Sequence, residues 1–96
     1  MAMFVVLAKF TEQGIRGIKD TAKRAQGFRD TAKSMGAAVK DIFWTMGSYD
    51  VVVTFEAAKD EDATALMMKM GSLGNLKSET LRAFTESEVA ALTSRI

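Results

Sequence analysis

The sequence predicts an α+β domain with one antiparallel sheet, its elements running strand, helix, strand, strand, helix, strand, helix. Three observations predict it. Phe4 to Phe10 is short and rich in β-branched and aromatic residues, which marks a strand. Val39 to Phe55 reads VKDIFWTMGSYDVVVTF, two apolar runs joined by a polar, glycine-bearing turn, as in a hairpin. The segments around this hairpin carry apolar residues at steps of three and four, the spacing of one helix face.

Each element has its own signals. After the first strand Thr11 is suited to cap a helix, and Gly14 and Gly17 weaken the opening turns. Ile15, Ile18, Ala22, Ala25, Phe28 (or Arg29, by phase drift), Ala32 and Met35 then fall on one helix face, opposite Arg16, Lys19, Lys23, Arg24, Asp30 and Lys33. Gly36 ends this helix, where a left-handed residue is wanted. The hairpin strands are expected near Val39–Thr45 and Asp50–Glu56, with Met46-Gly47-Ser48-Tyr49 as the turn. Asp60 is expected to cap the second helix, with Glu61 and Asp62 favourable at its N-terminal end. That helix turns Ala63, Leu66, Met67, Met70 and Leu73 to one side and stops at Gly71 and Gly74. Leu76 to Phe84 is the fourth strand. Thr85-Glu86-Ser87-Glu88 is a capping box that opens a last short helix, with Val89, Leu92 and Ile96 to dock it. The order βαββαβ plus a C-terminal helix is the ferredoxin-like pattern, with both crossovers expected right-handed.

The strands are apolar on both faces. Val5 and Leu7 oppose Phe4, Val6 and Ala8, and Val51, Val53 and Phe55 oppose Val52 and Thr54. A sheet with one wet face would alternate apolar and polar residues. Two helices cover one face, and the C-terminal helix is too short for the other. Two subunits packed sheet on sheet are the expected cover. The 48% hydrophobic content of a 96-residue chain agrees, since a chain this short buries only about 60–65% of its unfolded surface.

Composition excludes several functions. The net charge is +1, so no global field points to nucleic acid or an anionic membrane. Cysteine is absent, which removes disulfides, thiolate nucleophiles and thiolate metal sites and suits a cytoplasmic location. Histidine is absent too, and with it the commonest metal ligand and general base. The opening MAMFVVLAKF lacks a basic n-region and a cleavage site, so it reads as a strand and not a signal peptide. No apolar run reaches the roughly 18 residues of a membrane span. No linker divides the chain, and residues 1–96 are expected to form a single domain.

Gly47-Ser48-Tyr49-Asp50-Val51-Val52-Val53 resembles the motif that gives the GYD-domain family its name. Gly71-Ser72-Leu73-Gly74-Asn75 with Thr80-Leu81-Arg82-Ala83-Phe84-Thr85 is similar to that family's second signature, and Phe10-Thr11-Glu12-Gln13-Gly14-Ile15-Arg16 also fits. The resemblance covers nearly the whole chain; Thr21-Ala22 departs from it, standing where a cap followed by proline is expected. It implies a ferredoxin-like domain of the dimeric α/β-barrel group, and it brings no established activity, cofactor or metal. Relatives in that broad group include cofactor-independent monooxygenases, isomerases, haem-binding dismutases and amino-acid-sensing domains, so the fold alone names no function.

Four residues form the candidate ligand site: Trp44, Tyr49, Asp50 and Arg82. On a functional reading Trp44 is an aromatic wall, Arg82 binds a carboxylate or phenolate, and Tyr49 or Asp50 moves a proton. On a structural reading Asp50 bonds turn amides, Tyr49 packs across the hairpin, and Arg82 pairs with a carboxylate at the rim. Other features favour structural readings. Gly71 to Asn75 follows a helix and lacks phosphate-loop spacing, so it is a helix stop. Met67, Met68 and Met70 point in different directions from a helix and fill core gaps. Asp60-Glu61-Asp62 is a helix-start cluster, not a calcium site. The basic helix face has no interleaved aromatics for nucleic acid. The leading expectation is a homo-oligomer that binds a small organic molecule near the sheet, with no cofactor. The alternatives are a cofactor-independent enzyme, oxygenase- or isomerase-like, and an assembly module without a ligand.

Overall fold

The central strand of the molecule is β1, Ala2–Phe10. After it come α1 (Glu12–Arg16), a 3-10 turn at Ile18–Asp20 and α2 (Thr21–Ser34). Next are β2 (Ala38–Trp44), β3 (Val51–Ala57), α3 (Asp60–Ser72), β4 (Leu76–Ala83) and α4 (Glu86–Thr93). This computed structural model describes Met1–Ile96. The sheet order is β2-β3-β1-β4, and β1 pairs antiparallel with both β3 and β4. That is the ferredoxin-like topology the element order predicts.

The implied barrel is not formed. β2 and β4 are free edges of an open four-stranded sheet. Closing a barrel around its own side chains takes about eight strands. A bulge between Val39 and Asp41 breaks the β2–β3 register, and a bulge of this kind disrupts the pairing locally and bends its strand.

The first helical section also differs from its expected phase. Gly17 ends α1, and the chain restarts helix at Thr21 after the 3-10 turn. Ile15, Ile18 and Ala22 are therefore exposed instead of lying on one buried face. Lys59, not Asp60, holds the N-cap position of α3, and Asp60 is its first residue. Thr11 does cap α1, accepting from the Gly14 amide, and the Thr85–Glu88 capping box is formed. Hydrogen bonding to Thr85 holds the Glu88 carboxyl below its ordinary range.

One face of the sheet carries the core. Phe4, Val6 and Ala8 of β1 and Val51, Val53 and Phe55 of β3 are buried there, beneath Phe28 and Ala32 of α2 and Ala63 and Leu66 of α3. Phe55 stacks on Phe4 with ring centroids 5.3 Å apart, and Phe28 meets it edge-on at 6.5 Å. The opposite face carries Val5, Leu7, Val52 and Thr54 with Phe43 and Leu81. Phe43 is 57% and Leu81 46% exposed. The C-terminal helix does not cover them. Val89 and Leu92 of α4 stay 44% and 38% exposed, so the expected docking within the chain is absent.

Gly14 fixes how α1 sits. A Cβ there would lie 2.2 Å from the Asn75 carbonyl oxygen, because α1 packs backbone to backbone on the turn after α3. Thr11 reinforces the contact, its amide donating to Asn75 O at 3.0 Å and its hydroxyl to Gly74 O at 2.6 Å. Gly14→Ala is expected to lower the unfolding free energy by about 1–3 kcal/mol, as overpacking does, read from the urea midpoint.

Candidate functional site

The two long helices do not close over the sheet. A cavity of about 230 Å³ lies between them, 13 of its 18 lining residues hydrophobic. Val6, Ala8, Val51 and Val53 line it from the sheet, Phe28 from α2 and Met67 from α3. This follows from the alternation of the strands, which sends these side chains to the helix side. Small residues at Ala25 and Gly27 leave α2 with little to fill the space.

Trp44 lines the cavity from the end of β2. Its register partner is Val51, on the core side, so its ring faces the helices. Its Nε1 donates to Thr21 Oγ1 at 2.9 Å, which ties the edge of the sheet to the first residue of α2. Trp44 is 47% exposed and so stands at the boundary between cavity and solvent.

The other three candidates lie elsewhere. Asp50 secures the end of the sheet: its Oδ2 accepts from the Phe10 amide at 2.9 Å, and its own amide donates to Ala8 O at 2.8 Å. Tyr49 sits on the open face, donating its hydroxyl to Glu79 Oε2 at 2.7 Å. Lys9 Nζ lies 5.5 Å from its ring centroid. Arg82 pairs in register with Phe4, and its guanidinium stacks 4.3 Å over the Phe84 ring and donates to the carbonyls of Met3 and Ala83. Phe4 and Ala8, the β1 residues level with Arg82 and Trp44, are four positions apart, about 13 Å. Arg82 and Trp44 also lie on opposite edge strands, so they cannot share a small ligand.

The Tyr49 phenol is raised above its ordinary range, first by the hydrogen bond to Glu79 and then by that carboxylate's charge. The fold therefore favours the protonated phenol. Its contribution is present below about pH 10 and is lost as pH rises through the folded-state value. Tyr49 is the single tyrosine, so phenolate absorbance reads it directly. Glu79→Gln is expected to shift that titration to lower pH.

Arg24 is a cavity residue that sequence reasoning placed on the solvated basic face. It is half-buried and lines the cavity. Its Nη1 donates to Gly17 O at 3.0 Å and its Nη2 to Gly14 O at 3.1 Å, satisfying carbonyls at the end of α1. The signal was its spacing: Thr21, Arg24, Ala25, Phe28 and Thr31 follow steps of three and four, and all five line the cavity. Met70 lines it with Met67, while Met68 points to solvent. No three acidic, histidine or cysteine side chains come together as metal ligands.

An open ferredoxin-like sheet with a ring-sized apolar hollow under its helices defines the class, a small α+β domain with a built cavity. The GYD domain model matches residues 4–93, and the chain belongs to the GYD-domain family. No curated protein matches it. Among solved structures it is similar to a hypothetical protein, PHS023, from Pyrococcus horikoshii, at 18% identity and a TM-score of 0.58. The match covers 90% of this chain and 93% of the other, and it shows a shared fold. No helix is long and apolar enough to cross a membrane.

Proposed function

We propose that the protein binds a small, largely apolar organic molecule in the cavity between its sheet and its helices α2 and α3. The cavity itself carries this reading. A dry engineered cavity of about 150 Å³ takes up benzene, so a hollow near 230 Å³ has room for a substituted ring. An apolar occupant would take apolar lining out of water, and each CH₂ so buried is worth about 0.8 kcal/mol. Native mass spectrometry of protein purified gently from its own host tests the reading. The expected result is a fixed extra mass of a small organic compound. Protein with no bound mass, and no saturable uptake of any ring-sized compound, would overturn it.

The proposal includes a second copy of the chain on the open sheet face. Phe43, Val52, Leu7 and Val5 make an apolar centre there. Lys9, Lys77 and Glu79 stand toward one end, and Asp41, Glu56 and Lys40 toward the other. One end is thus net positive and the other net negative. A two-fold axis across the strands would lay the positive end of one copy over the negative end of the next, as an isologous interface permits. Wild-type protein is expected to sediment as a dimer or larger species, and Phe43→Glu with Leu81→Lys as a folded monomer. A wild-type monomer at micromolar concentration would count against the pairing.

A further inference from the structure

Arg24 brings a charged side chain to the cavity lining. Among the residues lining the hollow it is the one with an ionised side chain, and no aspartate or glutamate lines it. A guanidinium has five N–H donors. Two of Arg24's are engaged with the Gly14 and Gly17 carbonyls, which leaves three. Those two bonds also hold the side chain in place, so a ligand need not order it on binding. Carbonyl oxygens accept hydrogen bonds without cancelling the charge. A cation in the cavity would meet this charge with no carboxylate to balance it. A carboxylate would gain charge-assisted bonds in a half-buried setting, where such bonds are roughly twice as strong as neutral ones. The other polar side chains on the lining, Thr21, Thr31 and Asn75, are neutral, so a bond from any of them to a carboxylate is weaker than one from the guanidinium.

Resting on the binding reading above, we propose that the ligand is a small organic acid, an apolar ring-sized body whose carboxylate pairs with Arg24. Its body lies against Phe28, Met67 and the valines of the sheet, and Trp44 borders it. Arg24 sets specificity for acid over neutral ligand, and the apolar walls set the size.

The test uses matched pairs that differ in charge and little in shape: benzoate with benzamide, and phenylacetate with phenylacetamide. Binding is read from the fluorescence of Trp44, the single tryptophan, and from calorimetry. Each acid is expected to bind about tenfold or more tighter than its amide, the range of a hydrogen bond to a charged group. Arg24→Gln is expected to bring the acid-to-amide affinity ratio down to within about threefold of unity. Arg24→Lys should keep part of the advantage, because the charge remains without the forked geometry. Amides that bind as tightly as the acids, or an advantage that survives Arg24→Gln, would overturn the proposal while leaving the cavity a binding site. No saturation by any of the four compounds, nor by toluene or indole, would instead count against the binding reading itself. If Arg24→Gln unfolds through loss of its bonds to α1, the wild-type acid-to-amide ratio and the Arg24→Lys variant decide the matter.

Discussion

Phe55→Ala is expected to lower the unfolding free energy by about 3–5 kcal/mol, a large part of what a 96-residue domain has. Phe55 is fully buried on the central hairpin strand β3. It touches the two other aromatic rings of the core, stacked on Phe4 and edge-on to Phe28. Truncation removes its transfer free energy and leaves a void between sheet and α2. The void would lie beside a cavity that already exists, so neighbours have little reason to collapse into it. Urea unfolding followed by Trp44 fluorescence measures the loss. A cost under about 1 kcal/mol would mean that the sheet–α2 contact is not the core of the fold.

Ala25→Phe is expected to abolish binding in the cavity without unfolding the protein. Ala25 lies on the wall of α2, half-buried, and a benzyl group there would point into open space. Affinity for phenylacetate should fall by at least about a hundredfold, roughly 2.8 kcal/mol. Thermal stability should hold or rise, because the ring gains contacts that an empty wall lacks. Unchanged affinity would show that the ligand sits somewhere other than this hollow. A sharp fall in stability would show that the space is too tightly shaped to take a ring.

Much of the architecture was legible in the residues. The strands showed in their β-branched runs, and the hairpin in its glycine-bearing turn. Gly36 and Gly74 marked helix stops, and both have positive φ. The apolar pattern on both faces of β1 and β3 announced an open face that no helix of this chain covers. Other features depend on facts that periodicity does not carry. Gly17 interrupts the first helix, and the 3-10 turn resets its phase. That is why Ile15 and Ile18 reach solvent while Arg24 turns inward. Barrel closure depends on strand number and curvature, which the alternation of side chains does not encode.

The candidate site was legible in part. Trp44 was singled out for its ring, and the β2–β3 register turns that ring toward the cavity. Tyr49 and Asp50 stood out through the turn motif, but their partners depend on pairing across the sheet. Glu79 is 30 positions from Tyr49, and Phe10 is 40 from Asp50. Arg82 is set apart from Trp44 by the width of the sheet, which only the strand order reveals. Arg24 is not legible as a cavity residue, because charged residues on a helix are ordinarily solvated.

A crystal of the wild-type protein soaked in phenylacetate is the measurement to make first. The expected result is ligand density between Phe28, Met67 and the valines of the sheet, with the carboxylate beside Arg24 and the ring near Trp44. Density confined to the open sheet face, or a cavity holding only water at saturating phenylacetate, would contradict the assignment of this hollow as a ligand site.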